Sequence, residues 1–239
     1  MKKTACMPAF IIIAVVAVAQ QQESLVILKD TVIQVSRPTA QSKNFFPVKS
    51  VIVPGTLVLY VFAGLQVEGL KNINREIKEQ IRENHSNFST GIDDYMQYTT
   101  AASPFILEAA GIKGKHNLKE KAIIYGMALV IMAGTVYAVK TITHQLRPDG
   151  SNCKSFPSGH TANAFMGAEF LKQEYGFRSP WYGYAGYTVA SGTGILRMYN
   201  NKHWFTDVVT GAGMGILSAK LSYWIFSKIK RNKSTTSGQ

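Results

Sequence analysis

The sequence predicts an all-α protein, a helical bundle that crosses a membrane several times. Three observations predict it. Apolar runs recur at Val51–Leu65, Tyr98–Ala110, Ala122–Val139, Thr161–Leu171, Trp181–Leu196 and Val208–Phe226, at lengths that suit helices. No segment alternates apolar and polar side chains as a half-buried strand would. The basic residues gather in the turns between alternate runs, as the positive-inside rule asks of a polytopic chain.

Taken in order, residues 1–19 read as a secretory signal peptide. Lys2 and Lys3 give a positive start, Phe10–Ala19 is apolar, and Ala17-Val18-Ala19 has the small-x-small pattern of a cleavage site. An uncleaved anchor helix is the alternative, although the apolar run is short for a span. The compartment implied is a bacterial envelope. Residues 20–50 are polar, carry Pro38 and Pro47, and read as a linker. Residues 51–230 form the helical domain, and 231–239 a basic tail. Within the domain Lys71–Glu83 is charged and reads as an amphipathic surface helix.

The charges orient the runs. If Lys113–Lys121 is cytoplasmic, Ala122–Val139 crosses outward and delivers residues 140–160 to the outer side. Thr161–Leu171 returns to Lys172 and Arg178, Trp181–Leu196 delivers residues 197–203 outward, and Val208–Phe226 returns to Lys228–Lys233. Thr161–Leu171 is short for a span and contains Glu169. A soluble or peripheral envelope protein is the competing expectation.

The chain has 26 Lys+Arg against 14 Asp+Glu, a formal charge of +12. Nucleic-acid binding would need aromatic side chains interleaved with that charge. The clusters at 113–121 and 228–233 flank apolar runs instead, so no nucleic-acid partner is expected. The cysteines, Cys6 and Cys153, form no CxxC pair, which argues against a zinc site or a disulfide framework.

Three separated segments carry candidate chemistry. The first, Lys140 to Pro148, ends an apolar helix with a lysine and places Arg147 seven residues on. The second, Phe156-Pro157-Ser158-Gly159-His160, precedes a helix whose exposed N–H groups and dipole favour an anion. The third runs from Arg197 to Asp207; His203 and Asp207 are four apart at a helix start and share a face. A carboxylate there fixes the imidazole tautomer and leaves the other nitrogen free to attack. Each segment alone has an ordinary explanation: a snorkelling lysine, a serine cap, a capping pair. Together they supply three cations, a serine with exposed amides, two histidines and an orienting carboxylate. Phosphoryl transfer calls for that set.

The pattern Lys-x6-Arg-Pro, Pro-Ser-Gly-His and Arg-x5-His-x3-Asp resembles the type 2 phosphatidic acid phosphatase superfamily, which also holds bacterial acid phosphatases and vanadium haloperoxidases. The motifs span residues 140–207, and the wider similarity runs from about Asp93 to Phe226. Leu196 stands where that family usually has Ser, which removes a hydroxyl but no charge. The resemblance implies a helical bundle of that kind and these roles. His203 is the nucleophile and forms a phosphohistidine, Asp207 orients it, and His160 protonates the leaving oxygen and then activates water. Lys140, Arg147 and Arg197 hold phosphate oxygens with Ser158 and the Gly159 amide. No metal or other cofactor is needed. The expected substrate is a lipid-linked phosphate met at the outer face of the inner membrane: lipid A, undecaprenyl pyrophosphate or a phosphatidate. A soluble periplasmic acid phosphatase, vanadium-dependent halide oxidation and a binding-only role are the alternatives.

Several features carry no chemistry at this stage. Gly211 and Gly215 read as close helix packing. Asp93 and Asp94 read as helix caps, and His85, His116 and His144 as surface residues. Trp181, Tyr182, Tyr184 and Tyr187 suit an interface belt or the core, and Trp204 a wall of the site.

Overall fold

The computed structural model describes residues 51–236 except 53, 57 and 60–66. The signal, the linker and part of the run to Leu65 lie outside the described residues. Everything described is helix or connecting loop. The helices are α1 (Glu68–Asn84), α2 (Ile92–Ala109), α3 (Leu118–Thr143), α4 (Gly159–Tyr175), α5 (Trp181–Tyr199) and α6 (Phe205–Thr236). The five apolar runs after Leu65 and the charged segment at 71–83 each fall on one of them. Helix α6 continues through residues 231–236, so the expected tail is at first a further turn and a half of helix.

Helix α4 is the axis of the bundle. From Thr161 to Tyr175 nearly every side chain is buried, because α2, α3, α5 and α6 surround it. Its own sequence permits this, being rich in Ala and Gly with few branched side chains. The tightest neighbour is α6. A Cβ on Gly215 would stand 2.2 Å from the Ala162 carbonyl oxygen, and one on Gly211 2.5 Å from that of Ser158. Helix α6 thus meets α4 backbone to backbone, as the Gly211–Gly215 spacing predicts. Residues Pro54 and Val58, in a helical stretch, lie on the other flank of α6 beside Gly213.

Helix α3 differs in character. It is the one described helix long and apolar enough to cross a membrane, and only 22% of its most apolar stretch is buried. Leu129, Val130, Tyr137 and Ile142 face outward. Asn117 caps it, accepting the Glu120 N–H at 2.9 Å, and His144 in the left-handed region ends it.

The bundle has two chemically distinct ends. At one end the basic turns meet. Lys121 donates to Glu108 at 2.5 Å and to the Tyr175 hydroxyl at 2.9 Å, Arg178 donates to the Lys113 carbonyl, and Lys230 pairs with Glu120. His116 is part of this knot rather than a surface residue. Its Nδ1 lies 2.7 Å from Glu174, and its ring packs on Tyr223 and Phe226. The polar segment around it gave no hint of that contact, which bridges 58 residues. Buried Glu169, the misfit of the short α4 run, is paired with Lys220 at 2.9 Å and accepts from Tyr187. The three motif segments meet at the opposite end. Helix α1 joins them there, with Ile77 and Ile81 packed on Met198 and Val208.

Replacing Gly215 by Val should prevent close approach of α6 and lower the thermal midpoint in detergent, at a cost of about 1–3 kcal/mol or more for overpacking. Gly126→Ala, where an added Cβ meets nothing within 4 Å, should not lower the midpoint.

Candidate active site

The third segment is built on the turn between α5 and α6. Arg197 lies in the last turn of α5, Asn201 adopts φ 57° to reverse the chain, and His203 occupies the turn before α6 starts at Phe205. Asp207 stands in the first turn of α6, where a carboxylate is favoured by the dipole. Its Oδ2 accepts the Trp204 N–H at 2.8 Å and the Ser155 hydroxyl at 2.5 Å, and lies 3.4 Å from His203 Nδ1. Nδ1 therefore faces the carboxylate, and Nε2 is the nitrogen left for chemistry. Burial depresses the His203 pKa from 6.5 to about 4 even with Asp207 alongside, so the ring is neutral at pH 7. A neutral ring is the nucleophilic form.

The second segment is pinned to the third through backbone. The Ser158 N–H donates to the Asp207 carbonyl at 3.0 Å. Ser158 caps α4: its hydroxyl oxygen accepts from the Thr161 N–H and, at 2.8 Å, from the Thr161 hydroxyl. The first N–H groups of α4, Gly159 among them, have no acceptor within the helix. That places an anion-seeking helix end beside His203. His160 is in the same first turn, with Nε2 2.7 Å from Asp94.

The first segment closes the site. Lys140, in the last turn of α3, donates to the Lys154 carbonyl at 2.8 Å and so ties α3 to the loop entering the second segment. Arg147 lies in the loop 144–158, where its N–H donates to the Asn152 carbonyl. Trp204 Nε1 donates to the Leu146 carbonyl and Lys202 pairs with Asp149 at 2.7 Å, so the third segment is joined to the first and to the residue that follows it. Burial, and then the neighbouring Arg197 charge, lower the Arg147 pKa from its ordinary value. Arg147 and Arg197 each have a buried Nε–H without a hydrogen-bond partner. Crowded guanidinium groups with unanswered donors are suited to a tetrahedral oxyanion.

The structure thus brings together all the residues singled out by sequence: His203, Asp207, His160, Lys140, Arg147, Ser158, Gly159 and Arg197. Trp204 lines a hollow against α1 together with His203, and Lys78 of α1 lies over its ring at 5.3 Å. His144 is exposed, as expected. Asp93 and Asp94 are not caps. Gly91 holds the cap position of α2, and both aspartates pair with site cations or imidazole instead, buried Asp93 with Arg197 Nη1 at 2.6 Å and exposed Asp94 with His160. Two contacts had no sequence signal at all. Ser155 supports Asp207, and Asn74 of α1 caps α6 by accepting the Thr206 N–H at 3.1 Å while donating to its hydroxyl.

An all-α bundle with cations and a helix N-terminus gathered around a His–Asp pair is chemically suited to hold an oxyanion. Residues 121–231, a little under half of the chain, match the family model of the PAP2 superfamily. It is 42% identical over 162 residues to a lipid A 1-phosphatase of Porphyromonas gingivalis; the match takes in 67% of this chain and 36% of that protein, so the chain spans about a third of the relative's length. Two crystal structures are similar. Aquifex aeolicus LpxE has a TM-score of 0.46 at 24% identity, covering 61% of this chain and 93% of that one. A transmembrane PAP2-type phosphatidylglycerolphosphate phosphatase from Bacillus subtilis has a TM-score of 0.49 at 22% identity, covering 74% and 98%.

The His203 titration gives a test. Between pH 6.5 and about 4 the unfolded chain takes up a proton at this residue and the folded chain does not. Stability should fall as pH drops through that window and be indifferent to His203 above it. NMR of imidazole-labelled protein, assigned with His203→Ala, should show a midpoint near 4 rather than 6.5. Ser155→Ala should leave the fold intact and lower turnover about tenfold, since one of three donors orienting Asp207 is lost.

Proposed function

We propose that this chain is a metal-independent phosphatase that removes phosphate from a lipid through a phosphohistidine at His203. The observation that carries it is the convergence of Lys140, Arg147 and Arg197 on the α4 N-terminus beside a neutral His203 held by Asp207. The cations and the Gly159 amide bind the three equatorial oxygens and offset their charge in the transition state. His203 Nε2 attacks phosphorus as the bond to the leaving oxygen breaks, and His160 gives that oxygen its proton. Water then attacks phosphorus, loses a proton to His160, and displaces His203 as phosphate leaves. The cations do the work a metal would do at phosphorus, so excess chelator should leave turnover intact.

Lipid A is the favoured substrate, and its 1-phosphate in particular, because the relative 42% identical to this chain is named for that activity. Undecaprenyl pyrophosphate and phosphatidate-type lipids share the headgroup chemistry. The outward apolar face of α3 and the gathering of basic turns at the far end support a bacterial inner-membrane protein with its site towards the periplasm. A soluble acid phosphatase is the second reading, favoured by the single membrane-length apolar helix among the described residues. Carbonate extraction of membranes separates the two, because a soluble enzyme is released.

The test is phosphate release from lipid A, undecaprenyl pyrophosphate, phosphatidic acid and a soluble ester in detergent. Lipid phosphates should be turned over, vanadate should inhibit, and His203→Ala should abolish both turnover and acid-labile labelling of the protein. Full activity of His203→Ala, or loss of activity in chelator, overturns the mechanism. Turnover of the soluble ester alone overturns the lipid assignment.

A further inference from the structure

Two carboxylates from outside the three motif segments reach the site, both from the first turn of α2. Asp93 is buried. Its Oδ2 accepts from Arg197 Nη1 at 2.6 Å and its Oδ1 from the Asn200 amide at 2.9 Å. These contacts fix the N-terminus of α2 against the end of α5. The next residue, Asp94, is thereby placed with Oδ1 2.7 Å from His160 Nε2. Asp93, Asp94 and His160 offer ligand atoms within 4.8 Å of one another, an arrangement that attracts cations. Here the cation is already supplied, since Arg197 Nη1 lies 2.6 Å from Asp93 and 3.6 Å from Asp94.

His160 has a difficulty that this pair answers. As leaving-group acid it must carry a positive ring at the moment of transfer. Its partial burial opposes a cation first and Arg197 beside it opposes it again, and its place in the first turn of α4 sets the helix dipole against the charge as well. Lys140 of α3 and Arg147 bring further positive charge to the same end. The nearest negative charges are Asp93 and Asp94 on α2, and Asp207 on α6 is engaged by Ser155, Trp204 and His203. Of the three, Asp94 alone is in hydrogen-bond contact with the ring. Its side chain is 60% exposed against 30% for His160, so it also stands between the ring and bulk water.

We propose that Asp94 is a positioning residue for His160: its carboxylate holds Nε2 and stabilises the protonated ring, leaving Nδ1 to exchange the proton with the leaving oxygen and then with water. This rests on the acid–base role given to His160 above. The sequence outside residues 121–231, where the family match lies, then contributes directly to turnover.

The test measures kcat and KM on the lipid phosphate that the wild-type chain turns over fastest. Asp94→Asn keeps the shape and removes the charge. It should lower kcat about 10- to 100-fold, a substantial part of what a general acid contributes, with KM within about twofold and an unchanged thermal midpoint. Asp94→Glu, which restores the charge, should recover most of the loss. The proposal is overturned if Asp94→Asn keeps kcat within about twofold of wild type, if Asp94→Glu is no better than Asp94→Asn, or if the loss goes with a lowered midpoint in both. His160→Ala separates this failure from that of the underlying mechanism. If it keeps full kcat, the acid role itself fails; if it loses kcat while Asp94→Asn does not, only the role of Asp94 fails.

Discussion

Everything at the site depends on the backbone contact between α4 and α6. Two glycines on α6 remove the side chains that would hold the helices apart, and Gly211 does so at the carbonyl of Ser158 itself. That contact sets the Asp207 carbonyl where the Ser158 N–H can reach it. One carboxylate then serves two segments, orienting His203 from its own turn and receiving Ser155 from the other. On the proposed mechanism a looser helix pair would separate His203 from the α4 N-terminus by more than phosphoryl transfer tolerates, because a misplacement of about 1 Å can cost two orders of magnitude in rate.

The other elements act as braces on that pair. Helix α1 satisfies the N-terminus of α6 through Asn74, and its Lys78 donates to the Pro148 carbonyl at 2.7 Å. Helix α2 closes the opposite side through Asp93. Both braces use polar groups that would be costly to bury unpaired, so each is satisfied only when the helices are docked. This makes site assembly a consequence of folding rather than of substrate binding. The far end of the bundle is clamped in a similar way, by Lys121 with Glu108 and by His116 with Glu174.

The fold and the three segments were legible in the sequence for the same reason: the signals are local. Apolar runs mark helices, and His203 with Asp207 is a one-turn pair whose geometry follows from helical spacing. Ser158 was legible as a cap because capping is settled within three residues. What was not legible is contact across the chain. Asp93 reaches Arg197 over 104 residues, Asn74 reaches Thr206 over 132, and Ser155 reaches Asp207 over 52. An acidic pair at a helix start is chemically a good cap, so local reasoning gave Asp93 and Asp94 that role. The actual N-cap is Gly91, and the cations that claim the aspartates sit on other helices.

That error points to how charge is organised here. The proposed phosphate site needs a surplus of positive charge, yet a cluster of guanidinium and ammonium groups with no counter-charge would repel itself in the empty site. Asp93 offsets part of that repulsion at Arg197, from the side of the guanidinium that its Nη1 addresses, while Arg197 Nε stays without a partner. Lys140 is stabilised differently, by backbone carbonyls that carry only partial charge. Arg147 has Asp149 nearby, but Lys202 holds that carboxylate. The three cations are thus neutralised to unequal degrees, and the donors left over belong to the two arginines. A phosphate bound as proposed would complete the hydrogen bonding of groups already fixed in place, so the binding energy of its oxygens would not be spent on ordering side chains.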